Sequence, residues 1–98
     1  LSSRNQRLTT QGRSIASHVP IALNIISQAV TNGVDSQLAI KSARDYLAQF
    51  SEITIDYVAI VDDDMGPTPR QGSARALVAV VIDGIRLIDN LPVQIRNT

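Results

Sequence analysis

The stretch ARALVAVVIDGIRLID, residues 74–89, decides the fold of this chain. Residues 74–82 are almost continuously apolar, which predicts a strand buried in the middle of a sheet. Asp83-Gly84 follows, and residues 85–89 form a second β-like run. Because both positions of a tight hairpin turn need a positive φ, an Asp-Gly pair between two such runs is the strongest short-range signal of a β-hairpin.

A further strand is predicted upstream of this hairpin, over residues 53–61. Its residues alternate between two faces, the first formed by Ile53, Ile55, Tyr57, Ala59 and Val61, the second by Thr54, Asp56, Val58 and Ile60. Residues 62–69 contain three acids, one glycine and two prolines, which indicates a loop. The second half of the chain is therefore predicted to be a three-stranded antiparallel sheet.

The first half has helical periodicity. Apolar residues recur at spacings of three and four within residues 9–32, at Ile15, Val19, Ala22, Ile26 and Ala29. Thr9 is suited to the N-cap and Gly33 to the C′ position. Pro20 removes a backbone hydrogen bond inside this helix, which predicts a kink near residues 16–20.

A second helix is predicted from an N-cap at Asp35 to about residue 50. Its expected inner face consists of Leu38, Ala39, Ala43, Tyr46, Leu47 and Phe50. The short Asn32-Gly33 connection predicts that the two helices are nearly antiparallel. The expected fold is α+β, with two N-terminal helices packed on a three-stranded antiparallel sheet that ends in a C-terminal β-hairpin.

The composition is that of one small globular domain. The chain has 98 residues, 44% of them hydrophobic and 18% charged. It contains no cysteine, which excludes disulfides, thiolate metal sites and cysteine nucleophiles. No apolar run approaches the roughly 18 residues of a membrane span, and the polar start lacks the apolar core of a secretory signal, so a cytoplasmic location is expected. The missing initiator Met suggests an excised fragment.

Charge is unevenly distributed along the chain, although the net charge is zero. Residues 1–34 contain three arginines (Arg4, Arg7 and Arg13) and no acid, whereas residues 35–98 contain six bases and nine acids. A leading segment of this kind should attract an anion. The alternative is a solvated basic arm.

Ser2-Ser3-Arg4-Asn5 lies just ahead of the first predicted helix. Hydroxyl groups donate to phosphate oxygens, and a guanidinium can bind them bidentately. The start of the following helix adds partial positive charge. This tetrapeptide alone is weak evidence, because serines and asparagine are common in flexible leaders.

Other polar residues have plainer explanations. His18 is the single histidine, so a surface or partly packed role is expected rather than catalysis or metal binding. The acidic run at residues 62–64 has the oxygens that divalent cations prefer, but a row of acids in a loop usually points into solvent. Arg70, Arg75 and Arg86 could form a second basic patch, without the interleaved aromatic residues of a single-strand nucleic-acid surface.

Four stretches together resemble the pantothenate synthetase (pantoate–β-alanine ligase) family. LSSRNQRLT at residues 1–9 resembles the family's (M/L)-S-S-R-N-x-x-L-(S/T) segment. IDYV at residues 55–58, GP at 66–67 with GSARALVA at 72–79, and RLIDN at 86–90 resemble later family motifs, in order and at the family's spacing. The resemblance extends over essentially all of the chain.

The resemblance implies a ligase that joins pantoate to β-alanine through a pantoyl adenylate, using ATP with Mg²⁺. Residues 1–98 would form its C-terminal lid domain. A Rossmann-like N-terminal domain, with a HIGH-type histidine motif and the pantoate pocket, would lie outside this chain. Ser2, Ser3 and Arg4 would match the KMSKS-like loop of related nucleotidyl-transfer enzymes and contact the ATP phosphates, with Arg4 also catalytic. The full-length enzyme would be a homodimer that uses neither nucleic acid nor membrane, and the fragment alone would be inactive.

Some positions depart from the family pattern. Relatives often have Pro and Glu after the helix cap, where Thr10, Gln11 and Gly12 stand here, and Gly12 should weaken the helix start. The alternative function is a non-catalytic module that self-associates or binds nucleic acid. The acidic remainder of the chain and its zero net charge disfavour nucleic acid.

Overall fold

The computed structural model describes residues 9–96 and has the predicted α+β architecture. The elements in chain order are α1 (Thr10–Ala16), α2 (His18–Thr31), α3 (Ser36–Ala48), β1 (Thr54–Val61), β2 (Gly72–Ile82) and β3 (Ile85–Ile95). The three strands form one antiparallel sheet in the order β1-β2-β3. Within the described residues, no helix is long and apolar enough to span a membrane.

The first predicted helix is divided into α1 and α2 at Ser17, within the region where the kink was expected. Pro20 is the third residue of α2. In a first turn its missing N–H has no intrahelical partner to lose, whereas a continuous helix would need that N–H to donate to the carbonyl of Ala16. The chain therefore ends one helix at Ala16 and starts another.

The connection between α2 and α3 has the predicted caps. Gly33 has a φ of 85°, and the amides of Gly33 and Val34 donate to the carbonyls of Val30 (3.2 Å) and Ala29 (2.9 Å). These two bonds form a Schellman motif, which ends α2. Asp35 begins α3, because its carboxylate accepts from the amide of Gln37 at 3.0 Å.

Two details of α3 differ from the prediction. The helix ends at Ala48, slightly before the predicted end near residue 50. Leu38, expected on the inner face, is 58% exposed, whereas Ala39, Ala43 and Leu47 are fully buried. The buried stripe is narrower than the apolar pattern, because Leu38 lies beside Ala39 in the first turn but outside the stripe of Ala39, Ala43 and Leu47.

The hairpin forms at the predicted turn. Asp83 (φ 54°) and Gly84 (φ 74°) are both left-handed, as in a type I′ turn, and Ile82 pairs with Ile85. The last strand, however, continues past Asp89 to Ile95 and includes Pro92. Proline is tolerated because β3 is an edge strand, where a missing N–H need not break a ladder.

The alternation predicted for β1 is wrong for half of the strand. Ile53, on the first predicted face, is buried, but further along the buried residues are Val58 and Ile60, which belong to the second predicted face. The register shifts between Ile55 and Tyr57, so the intervening residue 56 is an extra residue that exchanges the two faces.

One face of the sheet carries the core. It packs against the helices, with α2 over β3 and β2, and α3 over β1. All buried side chains within residues 9–96 are apolar; the largest fully buried ones are Ile26, Leu47, Ile60, Ile82, Leu87, Val19, Val30, Val78 and Val80. On the opposite face, Asp56 accepts two bonds from Arg86 (2.7 and 3.0 Å), which link the two edge strands across β2.

Candidate functional site

The predicted site residues Ser2, Ser3 and Arg4 lie outside the described residues. The structure does describe the point at which their segment joins the fold, which is Thr9. Thr9 has an extended backbone (φ −64°, ψ 168°), and its hydroxyl accepts from the amide of Gly12 at 3.0 Å. The sequence-based prediction of an N-cap at Thr9 is therefore confirmed.

Thr9 also makes a long-range contact that the sequence did not predict. Its hydroxyl donates to the carboxylate of Asp83 in the β2–β3 turn, 74 residues away, at 2.8 Å. Behind this cap, Gly12 and Ala16 are buried and α1 packs against β2 and α2. Thr9, the first described residue after the candidate phosphate-binding segment, thus lies next to the hairpin turn.

An open groove of about 470 Å³ lies elsewhere on the surface, between the α2–α3 turn, the β1–β2 loop and the end of β3. It is lined by Arg70 and Arg96 together with the first turn of α3. At this helix start the amide of Gln37 donates to the carboxylate of Asp35, so it is not free to bind an external anion. The groove therefore contains both signs of charge and is not a preformed anion site.

The suggested second basic patch does not form. Arg75 donates to Asn90 at 2.6 Å, and Arg86 is paired with Asp56. Along β2, Arg75 is six residues from Val81, the partner of Arg86, which corresponds to about 20 Å of strand. Arg70 is in the loop beside the groove.

The acidic run at residues 62–64 has a local structural role. One carboxylate oxygen of Asp62 accepts from the amides of Asp64 (2.9 Å) and Gly66 (2.6 Å), which closes the turn around Met65 (φ 64°). No group of three or more His, Asp or Glu side chains with metal-binding geometry occurs in the part of the chain that the structure describes. The described residues thus provide no protein cage for a metal ion.

His18 is half-buried, in agreement with a partly packed role. Its Nδ1 is 2.7 Å from the hydroxyl of Tyr46, and its ring stacks on Phe50 with centroids 4.1 Å apart. This cluster joins the start of α2 to the end of α3. The sequence contained one signal for it, because Tyr46 and Phe50 are four residues apart on the predicted inner face of α3.

The described residues form a small α+β domain whose first helix is capped at Thr9. The model of the pantoate–β-alanine ligase family matches residues 1–92. The chain therefore belongs to the pantoate–β-alanine ligase family.

Relatives agree with this assignment. The chain is 38% identical to the pantothenate synthetase of Mycobacterium avium over 96 residues, which are 98% of this chain and 30% of the relative. It is 37% identical to that of Paracoccus denitrificans over 97 residues, covering 98% of this chain and 34% of the relative. The crystal structure of pantothenate synthetase from Thermus thermophilus superposes with a TM-score of 0.83 at 32% identity, over 93% of this chain and 34% of that one. The chain thus spans about a third of the length of these proteins.

Proposed function

We propose that this chain is the C-terminal lid domain of a pantothenate synthetase and supplies part of its ATP-phosphate site. The observation that carries the proposal is the family match over residues 1–92, which includes the leading segment, residues 1–9, with its serines and arginines. The cap at Thr9 supports it, since the segment leads directly into a helix fixed on the domain.

The proposed reaction has two steps. A carboxylate oxygen of pantoate attacks the α-phosphorus of ATP, which releases pyrophosphate and gives pantoyl adenylate. The amine of β-alanine then attacks the acyl carbon, and AMP leaves as pantothenate forms. In the first step negative charge builds on the departing pyrophosphate, so fixed donors at that position lower the barrier.

Ser2, Ser3 and Arg4 are the donors that we assign to this role. The two hydroxyls can each donate to a phosphate oxygen, and the guanidinium of Arg4 can bind two oxygens at once. Chemistry at a phosphoryl centre depends mainly on positioning and charge stabilisation, which these groups can provide without a covalent role. Arg4 is the proposed catalytic residue because its charge opposes the charge of the leaving group.

The architecture supports the proposed role of a lid. The helices and the sheet enclose an apolar core of their own, so the domain can move as a unit relative to a neighbouring domain. Closure over the nucleotide would exclude water, which would otherwise hydrolyse the adenylate. We propose that an N-terminal Rossmann-like domain of the same protein provides the pantoate pocket and the rest of the ATP site.

Mg²⁺ is proposed to enter with the nucleotide and to be bound through phosphate oxygens, since the described residues offer no cluster of acidic or histidine ligands. We further propose that the full-length enzyme is a cytoplasmic homodimer. In this arrangement the ligands of this chain are small molecules, and nucleic acid and membranes have no part in its activity.

The proposal is tested by Arg4→Ala in a full-length pantothenate synthetase that carries this chain as its C-terminal part. Pantoate-dependent exchange of labelled pyrophosphate into ATP measures the first step alone. We expect this exchange to fall by about 10²–10³-fold, as for removal of one charge-stabilising donor elsewhere. The melting temperature should stay within a few degrees of that of the parent enzyme.

Arg7→Ala is the matched control, because it removes the same charge from the same segment, three residues further along the chain. It should reduce the exchange rate by only a small factor. The second step, followed as the reaction of supplied pantoyl adenylate with β-alanine, should be nearly unchanged in both variants. An Arg4→Ala enzyme that exchanges pyrophosphate at the parent rate would exclude Arg4 from the mechanism.

A further inference from the structure

The position of α1 depends on tertiary contacts. This helix has only seven residues and is separated from α2 at Ser17. Isolated helices shorter than about 12–15 residues are marginal in water. Gly12 and Ala16 are buried along its inner side, and at its exposed start the side chain of Thr9 binds Asp83.

The hydroxyl of Thr9 makes two different bonds at once. Its oxygen accepts from the amide of Gly12 (3.0 Å), and its hydrogen is donated to Asp83 (2.8 Å). A hydroxyl can do both because it has one donor and two acceptor lone pairs. An Asp at this position would cap the helix but could not donate to a second carboxylate.

Asp83 is a firm anchor for this contact. It lies in a two-residue turn with left-handed backbone, closed by the pairing of Ile82 with Ile85 between β2 and β3. β2 is the central strand, and Ile82 at its end is 1% exposed. The contact thus ties the start of α1 to the best-packed strand of the molecule.

We propose that Asp83 is a positioning residue for the phosphate-binding segment and acts through Thr9. The inference rests on the function proposed for Arg4. Arg4 precedes Thr9 by five residues, so its Cα lies within about 17 Å of the Thr9 Cα even in a fully extended chain. Fixing Thr9 therefore limits the volume that the Arg4 guanidinium can sample, and small misplacements of a reacting group reduce rates strongly.

Asp83→Gly removes the carboxylate without disturbing the turn, because glycine adopts the φ of 54° at this position freely. Thr9→Asp removes the same contact from the other side, since it keeps a good N-cap and adds a carboxylate that repels Asp83. Thr9→Ser keeps both bonds of the hydroxyl and is the conservative control. Because Asp83→Gly and Thr9→Asp remove the same contact by different substitutions, the contact can still be tested if one of the two variants fails to fold.

Two measurements are made on the full-length enzyme. Hydrogen–deuterium exchange of peptides that cover residues 9–16 reports whether the start of α1 is fixed. Pyrophosphate exchange reports adenylate formation. In Asp83→Gly and in Thr9→Asp we expect faster deuterium uptake in α1 and a decrease of about tenfold in the maximal rate of pyrophosphate exchange. The KM for pantoate and the reaction of supplied pantoyl adenylate should not change.

Thr9→Ser should match the parent enzyme in both measurements. The double variant, Asp83→Gly with Thr9→Asp, should exchange pyrophosphate no more slowly than the less active of the two single variants. Parent-like pyrophosphate exchange in Asp83→Gly, with or without loosening of α1, would overturn the positioning role. If Arg4→Ala is active while Asp83→Gly is not, the proposed function of Arg4 is wrong and the contact serves another purpose. If Arg4→Ala is inactive and Asp83→Gly is active, only the positioning role fails.

Discussion

Leu38 and Leu47 are the same residue type on the same helix, and their environments are opposite. Leu47 is fully buried, whereas Leu38 is 58% exposed. α3 packs against β1 and α2, and the stripe that meets these elements contains Ala39, Ala43 and Leu47. Two alanines in this stripe allow a close approach of the helix, and Leu47 is the largest fully buried side chain on α3.

Leu47→Ala should therefore lower the free energy of unfolding by about 2–5 kcal/mol, through lost transfer energy and a residual cavity. Leu38→Ala is the matched control and should change it by no more than about 0.5 kcal/mol. Urea denaturation followed by circular dichroism measures both. Equal losses in the two variants would contradict the opposite environments of the two leucines.

At the scale of the elements, the β2–β3 hairpin depends on its turn. Gly84 has a φ of 74°, and a Cβ added there would meet no atom within 4 Å. The effect of a substitution at Gly84 is therefore conformational and not steric. Gly84→Ala should reduce the stability of the domain by about 1–2 kcal/mol, the usual penalty for a left-handed L-residue.

Gly84→Asn is the matched comparison, because asparagine adopts the left-handed region more readily than alanine. Its midpoint in urea should lie between those of the parent chain and of Gly84→Ala. If the Gly84→Ala variant is as stable as the Gly84→Asn variant, the turn must relax to a different geometry. The strand register, followed by backbone amide shifts in β2 and β3, would show such a change.

The elements also show which features a sequence can reveal. The Asp83-Gly84 turn and the cap at Thr9 were predictable, because each depends on a few adjacent residues. The bulge at Asp56 was not, since two-residue alternation continues through it without interruption in the sequence. The extension of β3 through Pro92 depends on its place at the sheet edge, which only the strand order reveals. The contact between Thr9 and Asp83 joins residues 74 positions apart and has no local signal.

At the scale of the whole molecule, the chain contains one core and, under the function proposed above, part of one active site. Its apolar core is enclosed by the helices and one face of the sheet, which is sufficient for an independently packed domain. The proposed ATP contacts come from Ser2, Ser3 and Arg4 alone. The chain spans 34% of the Thermus thermophilus enzyme, so most of that enzyme has no counterpart here.

We therefore expect the 98-residue chain to fold cooperatively and yet to form no pantothenate from pantoate, β-alanine and ATP. With phosphate contacts from the three proposed donors alone, ATP should bind with a Kd of about 1 mM or weaker, which corresponds to about −4 kcal/mol. Mass spectrometry of the product and calorimetric titration with ATP measure the two quantities, with a full-length enzyme as the positive control. Turnover by the purified chain would show that the reaction needs no second domain, and a micromolar Kd would indicate nucleotide contacts beyond the leading segment.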